Sequence, residues 1–384
     1  MISALLDAQT LHSMITQDSP RNHIVIIDGS WHLPAANRDA LQDYMDAHIP
    51  GARFMDLDAC SDKTAPYAHA LASDDDFGQY ARTLGINSDT FVVIYDSCGM
   101  FSAARFWWMF HYYGHDRVAV LDGGLPGWQR AAFAISTGAE PAAEAGNFIA
   151  KGNTSMLVSK TGLQQNLDDF LLLDARAAPR FQGEAPEPRP HLPSGHMPNS
   201  LNVPFQDLCQ QDGRMRTDMP QDFCDAYQFS PKPLVYSCGS GVTACILALG
   251  HAIAQNQSAP LPDTRLYDGS WSEWADDPTT QKAIGRTVPV KTWFLSSTTP
   301  ISTASAWPEP FRLDYFATPD PATSKRMYDR VGGSIFWHER SQWSLQDYQS
   351  YLDQSKTQLL LLSCGDDEAG YSEINPTDDH GNCY

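Results

Sequence analysis

The chain is short of positive charge: 26 Lys and Arg stand against 46 Asp and Glu, for a formal net charge of −20. Binding a phosphate backbone needs clustered Lys and Arg, so no nucleic-acid partner is expected. An anionic substrate would have to be drawn in by a local basic site, because the overall field repels it. Long apolar runs are missing as well. None approaches the roughly 18–20 residues that a membrane span requires, so no membrane partner is expected. Residues 1–21 show neither a basic n-region nor a continuous apolar stretch, so no secretory signal is expected and the protein reads as soluble and cytoplasmic. The cysteines, Cys60, Cys98, Cys209, Cys224, Cys238, Cys245, Cys364 and Cys383, include no CxxC pair and no metal-like cluster. In a chain of this size they read as reduced, mostly buried thiols, of which one or two at most are reactive. No metal and no cofactor is expected.

Core-forming residues are plentiful. The 384 residues are 42% hydrophobic, with 10 Trp, 15 Tyr and 17 Phe, enough for two or three domains. An internal repeat organises them. IVIIDGS (24–30), HIPGARFMDLD (48–58), FVVIYDSCGMFSAARFWWMF (91–110) and VLDGGLPGW (120–128) recur in order. Their counterparts are LLLDARA (171–177), HMPNSLNVPFQDL (196–208), LVYSCGSGVTACILAL (234–249) and LYDGSWSEW (266–274). Asp28 matches Asp174, His48 matches His196 and Trp128 matches Trp274 at a nearly constant spacing. Such steadiness over more than a hundred residues indicates a duplicated domain.

Each copy opens on an apolar run ending in Asp, the pattern of a buried parallel strand. A second such run, a Gly-bearing loop, an apolar helix and a third short strand ending in Asp-Gly follow. Strands alternating with helices predict an α/β fold class with mainly parallel sheets. The expected boundaries are 1–140 for the first domain, 155–285 for the second and 310–384 for a small C-terminal α/β extension. Residues 136–148, and the Ser/Thr/Pro-rich stretch beginning FLSSTTPIS, read as linkers.

Ligands of parallel sheets sit beyond the carboxyl ends of the strands, which directs attention to the loop after the second run. There Cys238 follows an apolar strand and precedes Gly239, Ser240, Gly241, Val242 and Thr243, and then a helix. A free thiol of pKa about 8.5 is only slightly ionised at neutral pH. Small residues let several backbone N–H groups converge on the sulfur, and the helix adds its positive end. Both favour a thiolate and would steady a negative persulfide. Counting back from the shared Ser/Thr-Ala, position 238 corresponds to Ser97 in the first copy, and Cys98 to Gly239. The first domain is therefore expected to be non-catalytic and to contribute a cleft wall. Cys245, beside Ile246 and Leu247, reads as core.

The loop SCGSGVTA resembles the active-site loop of the 3-mercaptopyruvate sulfurtransferases, a branch of the tandem-domain rhodanese family. CSDKTAPYAH (60–69), FWWMF (106–110), DAR…RFQGEAPEPR…SGHMPNSLNVPF (174–205) and LYDGSWSEW are also similar to that family. The resemblance covers roughly residues 1–280. It implies that Cys238 takes sulfur from 3-mercaptopyruvate, releases pyruvate and holds the sulfur as a persulfide. A thiol acceptor such as reduced thioredoxin, or cyanide in an assay, then receives it. It further implies donor binding by Arg180 and Arg189, in keeping with the planar donor fork that Arg offers a carboxylate. A serine-protease-like trio carries over to Asp58, His69 and Ser240. His69 reads equally as an ordinary loop histidine, and Asp58 as a turn or cap residue.

Thiosulfate-using relatives carry basic residues directly after the cysteine, where this chain has Gly239 and Ser240. A thiosulfate:cyanide enzyme and a non-catalytic sulfur-relay or binding module remain the alternatives. A phosphatase of the same fold would need Arg six residues after the cysteine, and that position is Ala244.

From about residue 311 the sequence departs from this family. A helix-like start, a charged-aromatic segment, a short amphipathic helix and a Leu-rich strand resemble the first half of a GNAT-type acetyltransferase. That resemblance implies a later Gly-rich loop for acetyl-CoA pyrophosphate, and none appears before Tyr384. No acetyltransferase activity is expected; an accessory α/β module or a truncated reading frame would give the same sequence.

Overall fold

A computed structural model describes residues 3–16, 23–220, 223–224, 226, 230, 232–285, 311–332, 343–364 and 367–374. The chain divides into two compact units, Met1–Thr287 and Val288–Tyr384.

The first unit holds two α/β domains in succession. The first domain runs β1 (Leu5–Leu6), α1 (Ala8–Thr16), β2 (Ile24–Asp28), α2 (Ala40–Asp46), β3 (Arg53–Phe54), α3 (Asp74–Thr83), β4 (Phe91–Tyr95), α4 (Ala103–Tyr112), β5 (Val118–Leu121) and α5 (Gly124–Arg130). The second domain runs α6 (Lys160–Gln165), β6 (Leu171–Asp174), α7 (Ala178–Gln182), β7 (Leu201–Asn202), β8 (Leu234–Ser237), α8 (Ala244–Ala254), β9 (Thr264–Leu266) and α9 (Ser270–Asp276). Their sheets are parallel throughout, in the orders β1-β5-β4-β2-β3 and β7-β6-β8-β9. β4 and β8 are buried along their whole length, as expected of strands covered on both faces. The edge strand β1 adds to the sequence reading. Its place in the second domain is marked only by a single parallel bridge, Leu157 to Leu266.

Strand register fixes the match between the copies. Asp28 lies opposite Tyr95, and Asp174 opposite Ser237. The residue after the strand is thus Asp96 in the first domain and Cys238 in the second. This corrects the pairing of Cys238 with Ser97. The first loop is one residue longer, so counting back from the helix lands one position late.

Helices α4 and α8 pack against each other across the two domains, and every residue of α4 and residues 244–252 of α8 are buried. A helix apolar all round belongs in an interior. Phe106, Trp107 and Trp108 of the first domain share one continuous core with Ile246, Leu247 and Leu249 of the second. Residues 136–148 form no helix or strand, as a linker should. They are nonetheless strapped to the first domain: the Gly146 amide donates to the Arg82 carbonyl at 2.9 Å, the Phe148 amide to the Ile86 carbonyl at 3.1 Å, and Phe148 is buried.

The second unit contains β10 (Phe311–Phe316), α10 (Pro321–Gly332), α11 (Leu345–Ser355), β11 (Gln358–Cys364) and β12 (Asp367–Ile374). They include a three-stranded antiparallel sheet in the order β10-β11-β12. Its start is therefore a strand and not a helix. FRLDY (311–315) alternates apolar and polar residues with period two, and helix begins only at Pro321. α11 carries a capping box between Ser344 and Asp347. The charged-aromatic segment and the Ser/Thr/Pro-rich linker lie outside the described residues. Among the described residues, no helix is long and apolar enough to cross a membrane.

Candidate active site

Cys238 leaves the carboxyl end of β8 into a loop held from below by α9. Its amide donates to Ser270 Oγ at 3.1 Å, and its carbonyl accepts the Trp271 amide at 3.0 Å. The Gly239 carbonyl accepts both the Ser272 amide and the Ser272 hydroxyl. Gly241 is required by two conditions at once. Its φ is +76°, and a β-carbon there would lie 2.9 Å from the Asp268 carbonyl oxygen. Among the described residues, the amides of Gly239 through Thr243 donate to no protein acceptor. They form a set of uncommitted donors in front of α8.

The loop borders a cavity of about 250 Å³ between the two domains. Cys238, Gly239, Ser240, Val242 and Thr243 line it, together with Arg176, Arg180 and Arg189. Trp31, Leu33 and Phe101 of the first domain close the other side. Cys238 is 2% exposed, so its sulfur is reached through this cavity and not from open solvent. Gly241 is absent from the lining and turns its carbonyl toward Arg105.

The three arginines are not equivalent. Arg176 is consumed by the fold: it pairs with Asp174 and Glu187, donates to the Gly195 carbonyl and lies 4.6 Å from the Trp271 ring centre. Arg180 is held by Glu187 at 2.5 Å. Arg189 has no carboxylate partner within ion-pair distance among the described residues and contacts Ser272 Oγ at 3.3 Å. Burial pulls its guanidinium below the ordinary arginine value, partly offset by the nearby Cys238 sulfur. Arg189 is thus the cation with most to gain from a bound carboxylate.

The structure brings Asp58, His69 and Ser240 together. His69 Nδ1 lies 2.9 Å from Ser240 Oγ, and its Nε2 lies 3.4 Å from Asp58 Oδ1. A carboxylate only accepts, which assigns the proton to Nε2 and leaves Nδ1 to accept from the serine hydroxyl. The His69 contact lowers the Asp58 pKa from its ordinary value. His69 is buried with its ring edge against Trp31, 4.6 Å between centres. The Asp58 side chain is 67% exposed. Neither His69 nor Asp58 lines the cavity, so Ser240 is the member of the trio that meets its contents.

Sequence reasoning missed Ser270 and Ser272, which clamp the loop, Glu187, which restrains Arg180, and Arg105 and Asp268. Only the Asp-Gly turn common to both copies, Asp122-Gly123 and Asp268-Gly269, marked the start of α9, and the clamping Ser270 stands where the first copy has Gly124. Cys98 lies near Arg38 Nη1 at 3.6 Å, and its thiol is pushed up, chiefly by burial and then by Asp96. Burial raises Cys245 to about 12, and its sulfur donates to the Gly241 carbonyl at 3.3 Å, the behaviour of a core residue.

A rhodanese-like domain model matches residues 7–131 and 159–277. Over 282 residues the chain is 40% identical to 3-mercaptopyruvate sulfurtransferase of Rattus norvegicus, covering 71% of this chain and 92% of that protein. It is also 38% identical over 279 residues to thiosulfate sulfurtransferase of the same organism, covering 71% and 91%. Among solved structures, the Escherichia coli 3-mercaptopyruvate sulfotransferase SseA superposes with a TM-score of 0.61 at 34% identity, over 70% of this chain and 99% of that one. These matches lend no support to the acetyltransferase resemblance of the C-terminal stretch.

Proposed function

Because the chain belongs to the rhodanese family of sulfurtransferases, whose enzymes work through a cysteine persulfide, we propose that it moves sulfur from 3-mercaptopyruvate through Cys238 to a thiol acceptor. The observation that carries this reading is the cavity that joins the Cys238 sulfur, uncommitted loop amides and the two arginines at 180 and 189.

In the proposed reaction Arg189 takes the donor carboxylate, and Arg180, already shared with Glu187, faces the keto oxygen. The Cys238 thiolate attacks the donor sulfur. The Sγ–S bond forms, the C–S bond breaks, and its electron pair passes into the carbon as the enolate of pyruvate. The donor's thiol proton ends on that carbon. Ser240, with His69 and Asp58 behind it, is placed to relay it. Pyruvate leaves, and the persulfide anion remains, facing the free N–H groups of the loop. A thiol such as that of reduced thioredoxin then attacks the outer sulfur and restores Cys238 as thiolate; cyanide substitutes in an assay.

Thiosulfate as donor is the second reading, and the relative named above keeps it in view. The small, uncharged Gly239-Ser240-Gly241 run after the nucleophile favours the keto acid. Comparing both donors with cyanide as acceptor, with pyruvate detection, tests the choice. Higher kcat/KM with 3-mercaptopyruvate is expected, and a strong thiosulfate preference would overturn it. For the C-terminal unit we retain an accessory α/β module, supported by its strand–helix–helix–hairpin order, and assign it no activity.

A further inference from the structure

Arg105 lies on α4 and is completely buried. Its Nη2 donates to Asp268 Oδ1 at 2.7 Å and to the His69 carbonyl at 2.8 Å, and its Nη1 to the Gly241 carbonyl at 3.5 Å. The other Asp268 oxygen accepts the Leu71 amide at 2.9 Å. One guanidinium from the first domain and one carboxylate from the second therefore grip the backbone at 69, 71 and 241.

A need for external support is visible at His69. Its φ is +62°, in the left-handed region that a residue with a β-carbon seldom adopts unless its surroundings hold it there. Gly241 directly follows Ser240, so the same cation braces both ends of the His69–Ser240 hydrogen bond.

Stability alone does not call for this pair. A buried ion pair is often no better for folding than apolar residues of the same volume. Arg105 Nε has no hydrogen-bond partner among the described residues, and counting from the helix starts, the matching position on α8 is Ile246. We propose that Arg105 and Asp268 are positioning residues for sulfur transfer, fixing the backbone on both sides of the domain boundary so that His69 meets Ser240. The inference rests on the reading above that this hydrogen bond serves donor chemistry.

The test is a double-mutant cycle on kcat for pyruvate release, using Arg105→Lys, His69→Gln and the combination, with thermal unfolding alongside. Lysine keeps the charge but cannot reach three acceptors with one fork. His69→Gln should lower kcat roughly a hundred-fold, and Arg105→Lys roughly ten-fold by misplacement, with KM little changed. The double variant should lie within about three-fold of His69→Gln alone, because the lysine variant acts through the same residue. Losses that multiply would overturn the inference while leaving the role of His69 intact. An unchanged kcat in His69→Gln would remove the underlying reading, and the inference with it. Asp268→Asn runs the same cycle if Arg105→Lys does not fold.

Discussion

In the first domain the residue that follows the central strand is Asp96, and its carboxylate fills the turn. Oδ2 accepts the amides of Phe101, Ser102 and Ala103 at 2.8–3.0 Å, and Oδ1 that of Cys98 at 2.9 Å. In the second domain the same position is Cys238, and the amides of the turn are left without a protein acceptor among the described residues. This strand–turn–helix is an anion cradle by construction. The first copy closes it with its own carboxylate. In the function proposed above, that copy is scaffold and the second leaves the cradle for a sulfur anion.

The comparison breaks most visibly at the cysteines. Intact mass after donor treatment should show one added sulfur, fully lost in Cys238→Ser and fully kept in Cys98→Ser. A sulfur retained on the first-domain thiol would end the division of roles. A second contrast lies on the paired helices. His251 of α8 occupies the place of Phe110 on α4, and burial pulls its pKa down to about 4 from 6.5. Between those values the unfolded chain binds a proton that the folded chain refuses. The stability is therefore present above pH 6.5 and lost as pH falls toward about 4, a loss on the order of 2–3 kcal/mol. Urea midpoints across that window should fall for the wild type, and His251→Phe should flatten the fall; an unchanged slope would place the effect elsewhere.

Arg189→Ala comes next. Losing a charge-assisted contact of about 1.5–3 kcal/mol should raise the donor KM by roughly ten- to a hundred-fold, with little change in Tm. Arg38→Ala should leave KM alone, since in the first domain that arginine is paired with Asp43 at 2.8 Å. Smallest is Asp96→Ala. It strips the acceptor from buried amides and should cost about 1–3 kcal/mol in thermal unfolding. Full stability in that variant would mean that the carboxylate is not what holds the first turn.

Much of this was legible in the residues. The duplicated strand and helix patterns place both sheets, and the small-residue loop between an apolar strand and a helix singles out Cys238, whereas Ser240, Arg180 and Arg189 were named by the family resemblance. The sequence motifs also named Asp58 and His69, although only folding brings them beside Ser240. Asp96 was hidden by the extra residue in its loop, because helix-based counting cannot see strand register. Arg105 was hidden by its surroundings: a charge inside AARFWWMF carries no sign of a partner 163 residues away. FRLDYF was misjudged because a short alternating run sits just ahead of a genuine helix.

The helices α4 and α8 show no polar flank to water on either copy. Excised alone, each half would present a greasy rod of aromatic or aliphatic side chains and invite self-association. Neither half retains a water-compatible surface on that side, so the duplication has merged two interiors into one.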